Sequence, residues 1–453
     1  MTAPAPDLLR KYGAPGPRYT SYPTVPCWDT APTESQWLAH LDAALGAASN
    51  SGAALYVHVP FCHALCTFCG CNMRVTRNHA LAGPYVQSVL REHRMLLSRL
   101  GRSTLPVGEV YLGGGTPTYL HAEELDELLT GLFTVANVVH GASMTIEADP
   151  RSVHTAQLEV LRRHGFNRLS IGVQDFDTRV QDIVNRPQAE EQVREVTEEA
   201  RALGFRSVNY DLIYGLPLQT SESIATTMEA IERLRPDRIA FYPYAHVPWI
   251  KSSQRRFTEA DLPDGEARRT LYALGRERLD ALGYVEIGMD HFALPTDDLV
   301  TAARERRLHR NFMGYSPAPT QPLIGLGVSS IGDAGDAYAQ NEKNLQQYEE
   351  RVSRDELPLQ RGHVLDEEDR ILRRHILRLM TRYETHWRDD ADVTPFLPEA
   401  LVRLAGPAAD GLVEIGDRSV RITPLGRSFL RNLCLAFDAR LQRRAQLTPA
   451  LTV

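Results

Sequence analysis

Residues 62–71 read Cys62-His63-Ala64-Leu65-Cys66-Thr67-Phe68-Cys69-Gly70-Cys71 and hold four of the chain's six cysteines. Thiolates separated by three residues and then by two can converge on one small inorganic core from a single loop. Cys71 stands one residue past Cys69, and a thiol that near usually points away from its predecessor. The spacing therefore gives three ligands, Cys62, Cys66 and Cys69, with Cys71 in another role. Three thiolates leave one iron of a 4Fe–4S cluster without a protein ligand. An open iron is a place for a small molecule to coordinate, which is a catalytic feature. A structural zinc site is the competing reading, but it needs a tetrahedral set usually drawn from two separated pairs, and Cys27 and Cys434 are isolated. Disulfides are disfavoured, since no signal-peptide pattern precedes the loop and a reducing compartment keeps thiols free.

On the carboxyl side the chain alternates short apolar, β-rich runs with amphipathic helical patterns, which is the pattern of βα units around a parallel sheet. Strands are predicted at 55–59, 110–112, 144–148, 169–173, 208–213 and 239–242, and helices at 85–100, 125–135, 157–164, 192–203, 224–234 and 267–282. Six such repeats predict an α/β fold, a partial (β/α)6 barrel similar to a TIM barrel but incompletely closed. A full eight-unit barrel and an open doubly wound sheet are the alternatives. In parallel barrels ligands bind where strands end and βα loops begin. The cysteine loop, Gly113-Gly114-Gly115-Thr116-Pro117, Glu147-Ala148-Asp149, Gln174-Asp175 and Asp211 all fall at such ends. Three glycines can simply make a tight turn, but they also let backbone approach a ligand. No Gly-Lys-Ser/Thr follows them, which argues against a nucleotide-triphosphate loop. Each remaining polar residue taken alone reads equally well as a cap or a surface group.

At 453 residues the chain should form one large domain with an appended one. The expected division is an N-terminal arm or lid over 1–35, the β/α catalytic domain over 36–352 and a C-terminal, mainly helical cover over 353–453. Fifty Lys and Arg against 57 Asp and Glu leave a net charge of −7, which offers no general attraction to nucleic acid or to an anionic membrane. Hydrophobic residues make up 43% of the chain, and no run approaches the ~20 apolar residues of a membrane span. A cytoplasmic protein is expected.

Prolines 4, 6, 15, 17, 23 and 26, interleaved with Tyr12, Tyr19 and Tyr22, predict that neither helix nor strand runs through the arm. Composition alone fits a disordered tail, whereas the aromatics point to an arm that packs. Near the other end, a helix, two short strands joined at Gly416-Asp417 and a second helix predict a winged-helix-like module. Its fold does not by itself imply DNA binding, and the charge balance is wrong for it. The stretch Arg304 to Tyr315, with Arg304, Arg306, Arg307, His309 and Arg310, is the densest basic patch; a solvated helix end is its ordinary reading.

The Cys-x3-Cys-x2-Cys spacing with Phe68 before the last cysteine resembles the radical S-adenosylmethionine (SAM) enzymes. Its extension to Cys71, together with Tyr56-Val-His-Val-Pro-Phe61, the arm motif Pro17-Arg18-Tyr19-Thr20-Ser21-Tyr22-Pro23, Gly172-Val-Gln174, Asn185-Arg186 and Asp211-Leu-Ile-Tyr-Gly-Leu-Pro217, is similar to the oxygen-independent coproporphyrinogen III oxidase family. Gly115 departs from the glutamate of the general superfamily motif but matches this branch. The resemblance implies a 4Fe–4S cluster on Cys62, Cys66 and Cys69 and two SAM molecules. Tyr56, Gly114, Glu147 and Ile331 would line the first. Phe68, Gln174, Arg186, Asp211 and Ala245 would line the second, with Gly115 and Thr116 touching it. Tyr56 and Cys71 are implied in catalysis, Cys71 without binding the cluster.

The implied reaction is oxidative decarboxylation of two propionates of coproporphyrinogen III to vinyl groups, giving protoporphyrinogen IX through a 5′-deoxyadenosyl radical. It implies an external one-electron donor such as flavodoxin or ferredoxin, no nucleic acid or membrane partner, and a monomer. A substrate bearing several propionates also offers the basic stretch a role, because Arg gives two parallel hydrogen bonds per carboxylate. Alternatives from other classes are a haem-binding chaperone of the same superfamily, a radical SAM methyltransferase and a winged-helix regulator with an iron–sulfur sensor.

Overall fold

The computed structural model describes residues 6–12, 16–48, 51–318 and 322–447. Six parallel strands form its centre: β1 (Ala53–Val59), β2 (Leu105–Gly114), β3 (Ala136–Ala148), β4 (Arg168–Gln174), β5 (Ser207–Tyr214) and β6 (Arg238–Pro243). Each pairs with the next in order. The intervening helices are α1 (Ala82–Arg99), α2 (Ala122–Phe133), α3 (Thr155–Arg163), α4 (Glu190–Ala202), α5 (Ser221–Leu234) and α6 (Gly265–Ala281). Strand β1 is buried on both faces apart from Tyr56, as expected for a strand covered by helices on one side and facing the cage on the other. Helix α1 turns Tyr85, Val86, Val89, Leu90 and Leu96 to the sheet at helical spacing. The Asp264 carboxylate starts α6 by accepting from the Glu266 and Ala267 amides (2.9 and 2.8 Å).

The β/α repeat is thus the predicted one, and its cage is open, since β1 and β6 do not pair among the described residues. The sheet nonetheless reaches twelve strands. Beyond β6 lies the antiparallel pair His291–Ala293 and Val285–Gly288. Beyond β1 lies Leu323–Leu326, parallel to it, followed by antiparallel Ile331–Asp333, Ala337–Asn341 and Leu359–Val364. The last of these carries the main sheet past residue 353, where the sequence placed the start of the cover.

A separate hairpin, His309–Asn311 with Gly314–Ser316, closes the amino-terminal end of the cage, and Ser316 Oγ donates to Glu109 Oε2 (3.2 Å). Above it a polar cavity of about 120 Å³ is lined by Ser143, Arg168, Ser207, Arg238 and Asn311, and reaches Tyr111 and Asp211 higher on the strands.

Among the described residues the arm differs from its expectation at Pro6–Tyr12, which is a helix, and at Val25–Cys27, a single 3-10 turn. Pro6 occupies the first turn of the helix, where a missing N–H costs nothing. Residues 1–5 and 13–15 of the arm, with Pro4 and Pro15, and the final 448–453 lie outside the described residues. Tyr19 and Tyr22 are buried in the C-terminal core beside Leu379, Phe429 and Phe437, and Trp28 stacks on Tyr338 with ring centroids 5.1 Å apart. The arm therefore runs between cage and cover. In the cover, Glu367–Arg382 and Leu397–Ala409 pack with a three-stranded sheet, Glu384–His386 beside the predicted pair Ser419–Ile422 and Val413–Gly416.

Candidate active site

The cysteine loop leaves β1 at the carboxyl rim and is held against the end of β2. Phe61–Cys62 pairs with Arg74–Val75, and the Gly115 amide donates to the Val59 carbonyl oxygen (2.8 Å). A Cβ on Gly115 would stand 2.7 Å from the Pro60 carbonyl oxygen, so a larger residue would push the loop away. The neighbouring Gly114 has φ of +124°, which side chains rarely adopt.

Each thiol meets a different neighbour. Cys62 Sγ lies 3.4 Å from Thr116 Oγ1, Cys66 Sγ receives Arg186 Nη1 at 3.3 Å and Arg151 Nη2 at 3.8 Å, and Cys69 Sγ accepts from the Cys71 amide at 3.4 Å. Burial pushes the Cys62 thiol up to about 12. The hydrogen bond with Cys71 pulls the Cys69 thiol down to about 6 and pushes Cys71 up.

The donor set fits the cluster that the spacing implied. Among the described residues no three His, Cys, Asp or Glu side chains converge as single-ion ligands. A cubane asks for something else, thiolates set apart so that each meets a different iron. Arginine donors aimed at Cys66 suit a core whose sulfurs carry negative charge, and Cys71, accessible and within electrostatic reach of Glu147, Tyr56 and Tyr242, offers its amide to a neighbouring sulfur.

Glu147, at the end of β3, accepts from Tyr111 Oη (3.0 Å) and from the Gly114 amide (3.1 Å). Burial, reinforced by Asp211, raises it to about 7. Burial likewise raises Asp211 to about 6, although Asn209 (3.0 Å) and Ser170 (3.3 Å) donate to it. Tyr56 Oη sits 3.0 Å from His58 Nδ1, whose Nε2 lies 2.8 Å from the Asn72 carbonyl oxygen, and burial lowers His58 to about 4. Tyr56 pairs in register with Gly325, and a Cβ there would meet the Ile331 carbonyl oxygen at 2.6 Å. Tyr56, Gly114, Glu147 and Ile331 are thereby brought to one side of the cage.

Gln174, with φ of +70°, accepts from Tyr242 Oη (3.4 Å). Arg186 donates to the Gly172 carbonyl oxygen (2.6 Å) and pairs with Asp149 (3.3 Å), while its Nε has no partner. Burial works against the Asp149 carboxylate, but Arg186 and Arg151 outweigh it and hold it at about 2. Gln254 joins two further sequence candidates: its Nε2 donates to the Phe68 carbonyl oxygen (2.9 Å) and to the Ala245 carbonyl oxygen (3.2 Å).

Sequence reasoning did not single out Arg151, His58, Tyr111 or Gln254. Arg151 stands two residues past Asp149 at a strand end and was legible by position; Gln254, in a 3-10 turn, carried no signal. Most of the basic stretch faces outward. Arg306 pairs with Glu384 and Arg307 with Glu305, whereas His309 and Arg310 are buried.

The model of the radical SAM superfamily matches residues 56–231. Oxygen-independent coproporphyrinogen III oxidase of Escherichia coli (strain K12) is 41% identical over 449 residues, 97% of this chain and 96% of that protein. The protein of the same name from Pseudomonas aeruginosa is 39% identical over 446 residues, 96% of this chain and 95% of that one. A solved structure of coproporphyrinogen III oxidase from E. coli, described as a radical SAM enzyme, superposes with a TM-score of 0.89 at 40% identity, covering 97% of this chain and 100% of that one. With similarity along nearly its whole length as well as in the cysteine loop, the chain belongs to the oxygen-independent coproporphyrinogen III oxidase family.

Proposed function

We propose that the protein converts two propionate side chains of coproporphyrinogen III to vinyl groups without oxygen, giving protoporphyrinogen IX in haem biosynthesis. The observation that carries this reading is the juxtaposition of a three-thiol loop with the half-buried carboxylates Glu147 and Asp211 on one rim of an open β/α cage. When bound, the cluster and SAM supply one-electron reductive cleavage to a 5′-deoxyadenosyl radical, which removes a β-hydrogen atom from a propionate. The carboxylate then leaves as CO2 and one electron passes to an acceptor.

The chain's own groups provide placement. Cys62, Cys66 and Cys69 hold the cluster. Tyr56, Gly114, Glu147 and Ile331 would hold the SAM that is cleaved, with the Glu147 carboxylate supplying negative charge toward its cationic groups. Phe68, Gln174, Arg186, Asp211 and Ala245 hold a second SAM, with Gly115 and Thr116 beside it. Cys71 and Tyr56 act in catalysis, and Cys71 is not a cluster ligand. The arm over 1–35 and the cover, beginning after the strand that ends at Val364, close the mouth of the core and keep water from a reactive radical. No described helix is long and apolar enough to cross a membrane. A cytoplasmic monomer served by flavodoxin or ferredoxin, with no nucleic-acid partner, completes the proposal.

The test is an anaerobic assay with reconstituted protein, SAM, a reductant and coproporphyrinogen III. Two CO2 and a divinyl product per substrate are expected; SAM cleavage without decarboxylation would mean another substrate, and retention of haem without turnover would mean a chaperone.

A further inference from the structure

Arg310 is 7% exposed, and among the described residues its charge has no counter-ion of its own. Its Nη2 donates to the Arg18 carbonyl oxygen (3.2 Å), and its guanidinium lies 4.6 Å from the centroid of the Tyr315 ring. Its Nε and Nη1 have no partner among the described residues. The acid that bears on it, Asp290, is already paired with Arg431. Two more guanidiniums come close. Arg18 stacks 4.7 Å over Tyr242 and donates to the Pro243 carbonyl oxygen (3.1 Å), and Arg268 packs beside Gly215 with its Nε unpartnered. Tyr214, at the carboxyl end of β5, is within electrostatic reach of Arg18, Arg268, Arg431 and Asp290.

Four arginines from the arm, α6, the lower hairpin and the cover thus come to the β5–β6 side of the cage, three of them near Tyr214, and the carboxylate that bears on Arg310 is the one Arg431 already holds. Burying a guanidinium without an anion is unfavourable. Arg also matches carboxylates through a planar fork of donors. We propose that this group of arginines binds the propionate carboxylates that the reaction leaves intact, with Arg310 and Arg268 as binding residues. The inference rests on the function proposed above. The cysteine loop lies on the β1–β2 side, so a macrocycle placed between would offer one pair of propionates to the cofactor and the other to these arginines.

The probe is coproporphyrin III, the stable oxidised tetracarboxylate, titrated by absorbance and fluorescence into cluster-free protein beside its tetramethyl ester. The acid is expected to bind at least tenfold more tightly than the ester. Arg310→Met is expected to lose about tenfold in affinity for the acid with no change for the ester, and Arg268→Met several-fold. In reconstituted enzyme both should raise KM for coproporphyrinogen III by the same factors, with iron content unchanged and kcat within about twofold. Arg310→Met should also melt no lower than wild type, since the buried charge it removes lacks a counter-ion among the described residues and the methionine keeps apolar contact with the Tyr315 ring. If Arg310→Met fails to fold, Arg268→Met carries the same comparison. Wild-type affinity for the acid in the variants, or equal binding of acid and ester by wild type, overturns the inference. Absence of any wild-type decarboxylation would instead count against the function, because the binding comparison needs no turnover.

Discussion

Arg186 places Nη1 3.3 Å from the Cys66 sulfur while Nη2 holds the Gly172 carbonyl oxygen at 2.6 Å, so one side chain ties the cysteine loop to β4. A cation beside a thiolate favours its charged form, and hydrogen bonds to cluster sulfurs help set a cluster's potential. Arg186→Met is expected to shift the cluster's midpoint potential to more negative values, followed by redox titration with electron paramagnetic resonance. It should also cost about 1–3 kcal/mol of stability, because the Gly172 oxygen loses a donor and Asp149 keeps only Arg151. An unchanged potential would leave Arg186 a purely structural role.

Cys71 reaches Cys69 through its backbone amide, a contact that a serine in its place retains, and through its thiol, whose hydrogen bond a serine hydroxyl can replace. Cys71→Ser is therefore expected to keep the iron content of wild type and to lose at least a hundredfold in decarboxylation. Iron analysis beside the anaerobic assay separates the two effects. Loss of iron would make Cys71 a ligand.

Glu147 is raised to about 7 by burial and by Asp211. Its folded value lies above the unfolded one, so its contribution to stability is fully present below about 4.5 and is lost as pH rises through about 7. SAM carries cationic groups and favours the ionised carboxylate. Affinity for SAM should therefore rise about tenfold between pH 6 and pH 8, as the ionised fraction does for a group near 7. Calorimetry of SAM binding checks this, with Glu147→Gln expected to bind weakly and without that pH dependence. The same variant should flatten the fall in melting temperature of ligand-free protein over this range.

The six central strands could be read from sequence because each core run is apolar and β-rich, buried on its helix-covered face, and separated from the next by helical spacing. Their ends were less legible. β3 begins at Ala136, well before the predicted Met144, because Ala136, Asn137 and Val138 pair with Leu105, Pro106 and Val107 ahead of a register shift. The flanking strands, such as Ile331–Asp333 and His291–Ala293, are too short for periodicity to register. The stretch 304–310 looked uniformly basic, yet a turn in the chain faces Arg306 and Arg307 to acids on the surface and folds Arg310 inward. Composition cannot distinguish those fates, since they depend on the hairpin 309–316 packing under the cage. The cysteine loop was legible because ligand spacing is local, whereas Arg186 meets Cys66 across 120 residues of chain.

Everything proposed for this site requires an iron–sulfur centre with one iron left open to SAM. The most direct measurement is electron paramagnetic resonance of anaerobically reconstituted, reduced protein before and after SAM is added. An iron–sulfur signal that changes on addition, and is absent when Cys62, Cys66 or Cys69 is replaced by serine, is the expected result. Zinc in place of iron, or a cluster signal that SAM leaves unaltered, would contradict it.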